Sequence, residues 1–244
     1  TSHAEGRNTK ATENYAHAEG RDTQATANSS HAEGRETLAS EYTSHAEGYQ
    51  TKASGYASHA EGNNTTAGAS GSHSGGLDAI AQDVNQFARS SGWFGVGVSG
   101  PTGMAQSSLY CVRGQGGVGV SGPFYLTFDN SNPLSPTAAD AIPHINNNTY
   151  WTNRVQIVGI HEPYPGVTEM FSQEGIEQVH NTNTIVGHTG YFFPPLDTMY
   201  PSPITSFYST NGNPGANTVC INLPFGPTGP TRWYATINSS QVGL

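Results

Sequence analysis

The sequence predicts an all-β protein: a parallel β-roll of 14-residue repeats over residues 1–75, a short helical neck or cap over 76–92, and a mainly β domain of sandwich or jelly-roll type over 93–244. Three observations point there. The tetrapeptide His-Ala-Glu-Gly begins at His3, His17, His31, His45 and His59, with a degenerate copy at His73, always 14 residues apart. Beneath it runs a period of seven, in which Ala4, Ala11, Ala18, Ala25, Ala32, Ala39, Ala46, Ala53, Ala60 and Ala67 form an unbroken series. Composition then changes abruptly. Residues 1–75 contain one Leu and no Ile, Val, Phe, Trp, Met, Cys or Pro, all of which occur in the remainder.

A repeat with one recurrent Ala, no second apolar position and frequent Gly offers no seam for helix packing, although Ala itself favours helix. The small residues instead follow the period of two expected for a strand. Ser2, Thr9, Ala16, Thr23, Ser30, Thr37, Ser44, Thr51, Ser58 and Thr65 each stand two positions before a series Ala. Each turn of the coil therefore carries two short strands, and only Ser, Thr, Ala and Gly are present to fill its interior. Such a core must be narrow. Stacked repeats satisfy one another's backbone groups along the axis.

The alternate positions face outward and fall into two kinds. In the second strand they vary, as Lys10, Gln24, Leu38, Lys52 and Thr66. In the first strand they are uniform: His3 and Glu5, His17 and Glu19, His31 and Glu33, His45 and Glu47, His59 and Glu61. A 14-residue rise puts Glu above Glu, so each carboxylate needs a His or backbone donor. A face turned toward other subunits is the simplest environment that repeats identically, and these ten residues are the expected interface of a homotrimer. Pairing with Glu would raise the His pKa and make the assembly most stable in mildly acidic solution. His-x-Glu within one strand does not close a tetrahedral site, so no metal and no cofactor are expected.

The run SHAEGYQTKASGYASHAEG at residues 44–62 resembles the head repeats of trimeric autotransporter adhesins of the YadA type, and more closely the SHAEG-rich repeats of tail appendages from phages and prophages of Gram-positive bacteria. The resemblance covers residues 1–75 only. It implies a left-handed parallel β-roll, assembled as a trimer with one strand face toward the axis, on a virion tail or a cell surface. The departure is chemical, because adhesin heads commonly place apolar residues where this chain has His and Glu.

After Gly75-Gly76, Leu77, Ile80, Val84 and Phe87 follow spacings of 3, 4 and 3, the heptad pattern of a helix that packs against its own copies or caps the coil. These four residues complete the expected interface.

The chain carries a net charge of −9, with 9 basic residues in 244, so nucleic acid is excluded as a partner for want of a basic face. No apolar run is long enough to insert into a membrane. Beyond residue 92, candidate strands are 93–98, 108–112, 124–128, 149–160, 183–186, 205–208, 218–223 and 233–238, separated by turns rich in Gly, Pro and Asn. Cys111 and Cys220 either pair or stay buried as thiols. Four His and several carboxylates are present, but no HExxH, GxSxG or close carboxylate pair joins them, so no catalytic residue is assigned. Aromatics near Pro or Gly, namely Tyr164, Tyr191, Phe192, Phe193, Tyr200 and Trp233, are candidates for ligand contact. Three functions remain: a fibre or tail-appendage tip that recognises a host cell-surface glycan or protein, a structural spacer or cap, and a polysaccharide-degrading enzyme.

Overall fold

The computed structural model describes residues 1–92, 103–116, 124–126, 149–164, 167–181, 185–192, 205–209, 218–223 and 231–243. All regular structure among them is strand. The chain divides into two compact units, Thr1–Ser108 with Gln241–Gly243, and Leu109–Ser240 with Leu244.

The first unit is a parallel β-solenoid. Its long strands are β1 (His3–Arg7), β3 (His17–Arg21), β5 (His31–Arg35), β7 (His45–Tyr49), β9 (His59–Asn63), β11 (His73–Leu77) and β13 (Phe87–Ser91), stacked in that order. Between them lie two-residue strands, β2 (Lys10–Ala11), β4 (Gln24–Ala25), β6 (Leu38–Ala39), β8 (Lys52–Ala53), β10 (Thr66–Ala67) and β12 (Ile80–Ala81), which stack into a second sheet. Register is fixed at 14 residues throughout, as in His31↔His45 and Ala39↔Ala53.

Side-chain size explains why this register closes. Ala18, Ala25, Ala32, Ala39, Ala46, Ala53, Ala60 and Ala67 are all 0% exposed and form one continuous core. The hydroxyl residues line the same interior. Ser30 donates to the Ala27 carbonyl (2.6 Å), Ser44 to Glu41 (2.6 Å), Ser58 to Gly55 (2.7 Å) and Ser72 to Ala69 (2.7 Å), so each serine ties down the corner three residues before it. These four serines offset the cost of burying their hydroxyls in this way, whereas the hydroxyls of Thr23, Thr37, Thr51 and Ser74 are buried without a hydrogen-bond partner.

The corners are left-handed. Asn8, Tyr15, Asp22, Ser29, Glu36, Thr43, Gln50, Ala57, Asn64, Gly71, Asp78 and Asn85 all have φ between 52° and 64°, one every seven residues. Their amides reach the preceding turn, as in Asp22 N–H to Arg7 O (2.9 Å) and Gln50 N–H to Arg35 O (2.9 Å). Asn and Asp adopt this conformation readily, whereas the β-branched Thr43 does so at a cost. The glycine of each His-Ala-Glu-Gly is required for a separate reason. At Gly48 φ is +108°, and a Cβ would fall inside the carbonyl of Gly62 in the next turn.

The expected helix over 77–88 does not form. Leu77 ends β11, Ile80 opens β12, Val84 lies in a corner and Phe87 begins β13. The reason is that the alanine register continues through this stretch: Ser74, Ala81 and Ala88 extend the seven-residue series and are each 0% exposed. A 3-4 apolar spacing and a half-turn of this solenoid share the same seven-residue period, so the heptad pattern was an alias. The end of the second sheet is closed by a side chain instead. The Gln106 amide accepts from Ile80 N–H (2.9 Å) and donates to Ile80 C=O (2.9 Å), replacing the strand that would come next.

In the second unit, β16 (Thr149–Tyr164) and β17 (Val167–Asn181) form a long antiparallel hairpin, continued by β18 (Ile185–Phe192). A smaller antiparallel sheet joins β15 (Phe124–Tyr125), β20 (Thr218–Leu223) and β19 (Thr205–Ser209). The strands β14 (Ala105–Gly116) and β21 (Thr231–Gly243) contain the expected strands at 108–112 and 233–238. The strand expected at 93–98 lies outside the described residues.

Two substitutions at positive φ should act with opposite sign. Gly48→Ala should destabilise the solenoid by roughly 2–4 kcal/mol, combining overpacking with a left-handed non-glycine residue. Thr43→Asn should stabilise it by about 1 kcal/mol. Chemical denaturation followed by circular dichroism measures both, and equal effects would contradict the corner geometry.

Candidate functional site

In-register stacking turns the repeated His-x-Glu into two columns on one face of the long-strand sheet. The ring centroids of His17 and His31 are 4.7 Å apart, those of His31 and His45 4.6 Å, and those of His45 and His59 4.7 Å, with interplanar angles of 4°, 2° and 11°. The spacing is that of neighbouring strands, so the backbone imposes the stack. His73 extends the column at 4.7 Å from His59, and Phe87 closes it at 4.5 Å from His73. The sequence signalled His73 through its 14-residue spacing, but its turn lacks Glu and it was not assigned to the face.

The carboxylates change partner along the column. His3, His17 and His31 approach the Glu of their own turn, with Nε2 3.4 Å from Glu5, 3.8 Å from Glu19 and 3.7 Å from Glu33. Further along, His59 approaches Glu47 at 3.5 Å and His73 approaches Glu61 at 3.4 Å, each across one turn. The contacts are long for charge-assisted hydrogen bonds. The Nε2 atoms of His31, His45 and His59 are shut off from solvent without a hydrogen-bond partner. On the Glu-Gly side of the column a groove of about 450 Å³ is lined by Glu33, Glu47, Glu61 and the glycines Gly34, Gly48, Gly62 and Gly76.

Burial decides the electrostatics of this column. The pKa of His31 lies below its ordinary value, first because burial disfavours the imidazolium and then because His45 and His17 would repel it; Glu33 and Glu19 oppose both effects and lose. His45 is lowered by burial and by His59 against Glu47 and Glu33. The expectation that pairing with Glu raises these values is therefore reversed: carboxylates at nearly 4 Å do not offset desolvation and a like neighbour on each side.

Of the aromatic candidates, Trp233 is half-buried on β21, where its ring covers Gly159 of β16. Tyr164 closes the β16–β17 hairpin opposite Val167, and Tyr191 and Phe192 lie on β18 opposite Ile176 and Gly175. The side chains of these three, and Phe193 and Tyr200 entirely, lie outside the described residues. Cys111 is a free thiol that accepts a hydrogen bond from the Tyr234 hydroxyl at 3.1 Å.

No protein-family model matches the chain, and no curated protein matches it in sequence. Solved structures similar to it include three phage tailspike proteins. That of Acinetobacter phage vB_ApiP_P1 has 8% identity and a TM-score of 0.26, covering 99% of this chain and 47% of its own. That of Acinetobacter baumannii bacteriophage Fri1, described as a capsular polysaccharide depolymerase, has 7% identity and a TM-score of 0.29, covering 94% and 42%. That of Acinetobacter baumannii phage AM24 has 9% identity and a TM-score of 0.27, covering 94% and 49%. The chain thus spans about half the length of these proteins.

The depressed His values fix a pH dependence. Unfolded His takes up protons near 6.5, while folded His31 and His45 do so only at lower pH. Their contribution to stability is complete above the unfolded value and is lost as pH falls through the folded ones. Thermal unfolding of the chain with a chelator present should give a lower midpoint at about pH 5 than at about pH 8, and His31→Gln/His45→Gln should flatten the difference. A midpoint that rises on acidification would show that the ion pairs govern the column.

Proposed function

We propose that the chain is a segment of a fibre or tail appendage, on a virion tail or cell surface, that assembles as a parallel homotrimer and presents its C-terminal unit to a host cell-surface ligand, a glycan in preference to a protein. The observation that carries this reading is the uniform His-Glu column. His17, His31, His59 and His73 keep 40%, 35%, 33% and 27% of their side-chain surface, and the column ends in Phe87, which is 47% exposed. A merely solvated face has no need of the same pair in every turn, and the second sheet varies freely at Lys10, Gln24, Leu38, Lys52 and Thr66.

Three columns meeting at an axis would cover the half-exposed rings and Phe87. The resemblance of residues 44–62 to appendage repeats supports the same arrangement. A rod whose turns are interchangeable suits reach and spacing, and trimeric display multiplies weak contacts at the tip through avidity. Of the aromatics proposed for ligand contact, Trp233 is the one whose side chain is described, and it is half-buried with one side of its ring on Gly159, so any sugar would meet only its remaining surface.

Light scattering should give three times 25.7 kDa, and a stable monomer at micromolar concentration would overturn the trimer. A glycan array should then show binding without release of product. A blank array from an intact trimer would leave a structural spacer, and released oligosaccharide would identify an enzyme.

A further inference from the structure

The His-Glu ladder brings together donors that no single repeat contains. Glu33, His45 and Glu47 each offer one ligand atom, all within 4.8 Å of one another, and Glu47, His59 and Glu61 form a second group of the same kind. Each group spans two turns: Glu33 of β5 meets His45 and Glu47 of β7, and Glu47 meets His59 and Glu61 of β9. Spacing within one strand cannot show this, because the third donor arrives through the parallel register.

The geometry suits coordination better than hydrogen bonding. His59 Nε2 lies 3.5 Å from Glu47 Oε1, at the limit of a hydrogen bond. Metal–ligand bonds of about 2.0–2.2 Å set neighbouring tetrahedral ligands roughly 3.4 Å apart. The Nε2 atoms of His45 and His59 are shut off from solvent and make no hydrogen bond. The adjoining groove is lined only by Glu33, Glu47, Glu61 and glycines, so it carries carboxylates without a Lys or Arg to neutralise them. It gives a cation access from the carboxylate side of each group, with room there for water to complete its shell.

We infer that this ladder binds a divalent first-row transition cation across adjacent turns, with Glu47 shared by the two groups and His45 or His59 supplying nitrogen. One imidazole with two carboxylates matches Zn²⁺ and its neighbours, whereas Mg²⁺ prefers an all-oxygen shell. Every ligand comes from one chain, so the site does not depend on trimer formation. The bound cation ties two turns together and neutralises the stacked carboxylates.

Calorimetric titration of the full chain with Zn²⁺ tests this. Saturable binding of one or two ions per chain is expected, with a thermal midpoint that climbs as free Zn²⁺ increases. Glu47→Gln should weaken binding roughly tenfold or more, because it removes the shared ligand. Glu5→Gln, in a turn outside both groups, should bind as wild type. Should Glu47→Gln fail to fold, His45→Gln/His59→Gln decides, with the same loss expected. Absence of saturable binding overturns the site, as does undiminished affinity in the variants, which would place the ions on scattered histidines. Equal affinity for Mg²⁺ would overturn the assignment of the cation class.

Discussion

The parallel in-register hydrogen bonding between successive turns governs everything else in the solenoid. It forces each residue onto the one fourteen positions away, so every side chain must tolerate its own copy less than 5 Å distant. Inside, only side chains up to the size of Thr meet that demand across so narrow a gap, which is why Ala, Ser and Thr fill the interior between residues 16 and 74. At the corners the chain must reverse in a left-handed residue every seventh position. At the glycine of each repeat, backbone approaches backbone so closely that no Cβ fits. Stability therefore rests on hydrogen-bond ladders and close packing, with little contribution from large apolar side chains.

The same constraint creates the chemistry of the outer face. Stacking is favourable for flat imidazoles and unfavourable for carboxylates, and the fold imposes both at once. Neutral rings resolve the first column: burial and flanking histidines hold His31 and His45 below their ordinary pKa. Among the described residues no Lys or Arg pairs with the carboxylate column, and the change of partner between His31–Glu33 and His59–Glu47 reflects how loosely the two columns are tied. A face built in this way has reason to acquire something from outside, whether a second copy of itself or a metal ion.

Much of this was legible from the alanine series and the position of His-Ala-Glu-Gly, because a core made of one residue type leaves its period in plain view. The stretch 77–88 misled for a physical reason. Larger apolar residues enter the last turns, at Leu77, Ile80, Val84 and Phe87, and their spacing is common to a heptad and to half a solenoid turn; Ala81 and Ala88 carried the true register. The hairpin strand β17 (Val167–Asn181) was passed over because its sequence is rich in Glu and contains Gly175, both depleted in strands, whereas its pairing with β16 sets its conformation. The cross-turn groups around Glu47 were invisible for another reason. Proximity across turns is a property of the stack, and no single strand contains it.

The central claim is that the fourteen-residue turn is the unit of structure and that turns are interchangeable. Removing residues 45–58 joins Ser44 to His59 and recreates the Ser-His step found at 44–45, so every column stays in register. Equilibrium unfolding of this shortened chain tests the claim, compared with a chain lacking only residues 45–54. The account predicts that the full-turn deletion retains a cooperative transition and native circular dichroism, with stability lowered by about the contribution of one turn, while the ten-residue deletion loses both. Equal tolerance of the two deletions, or equal collapse, would contradict it.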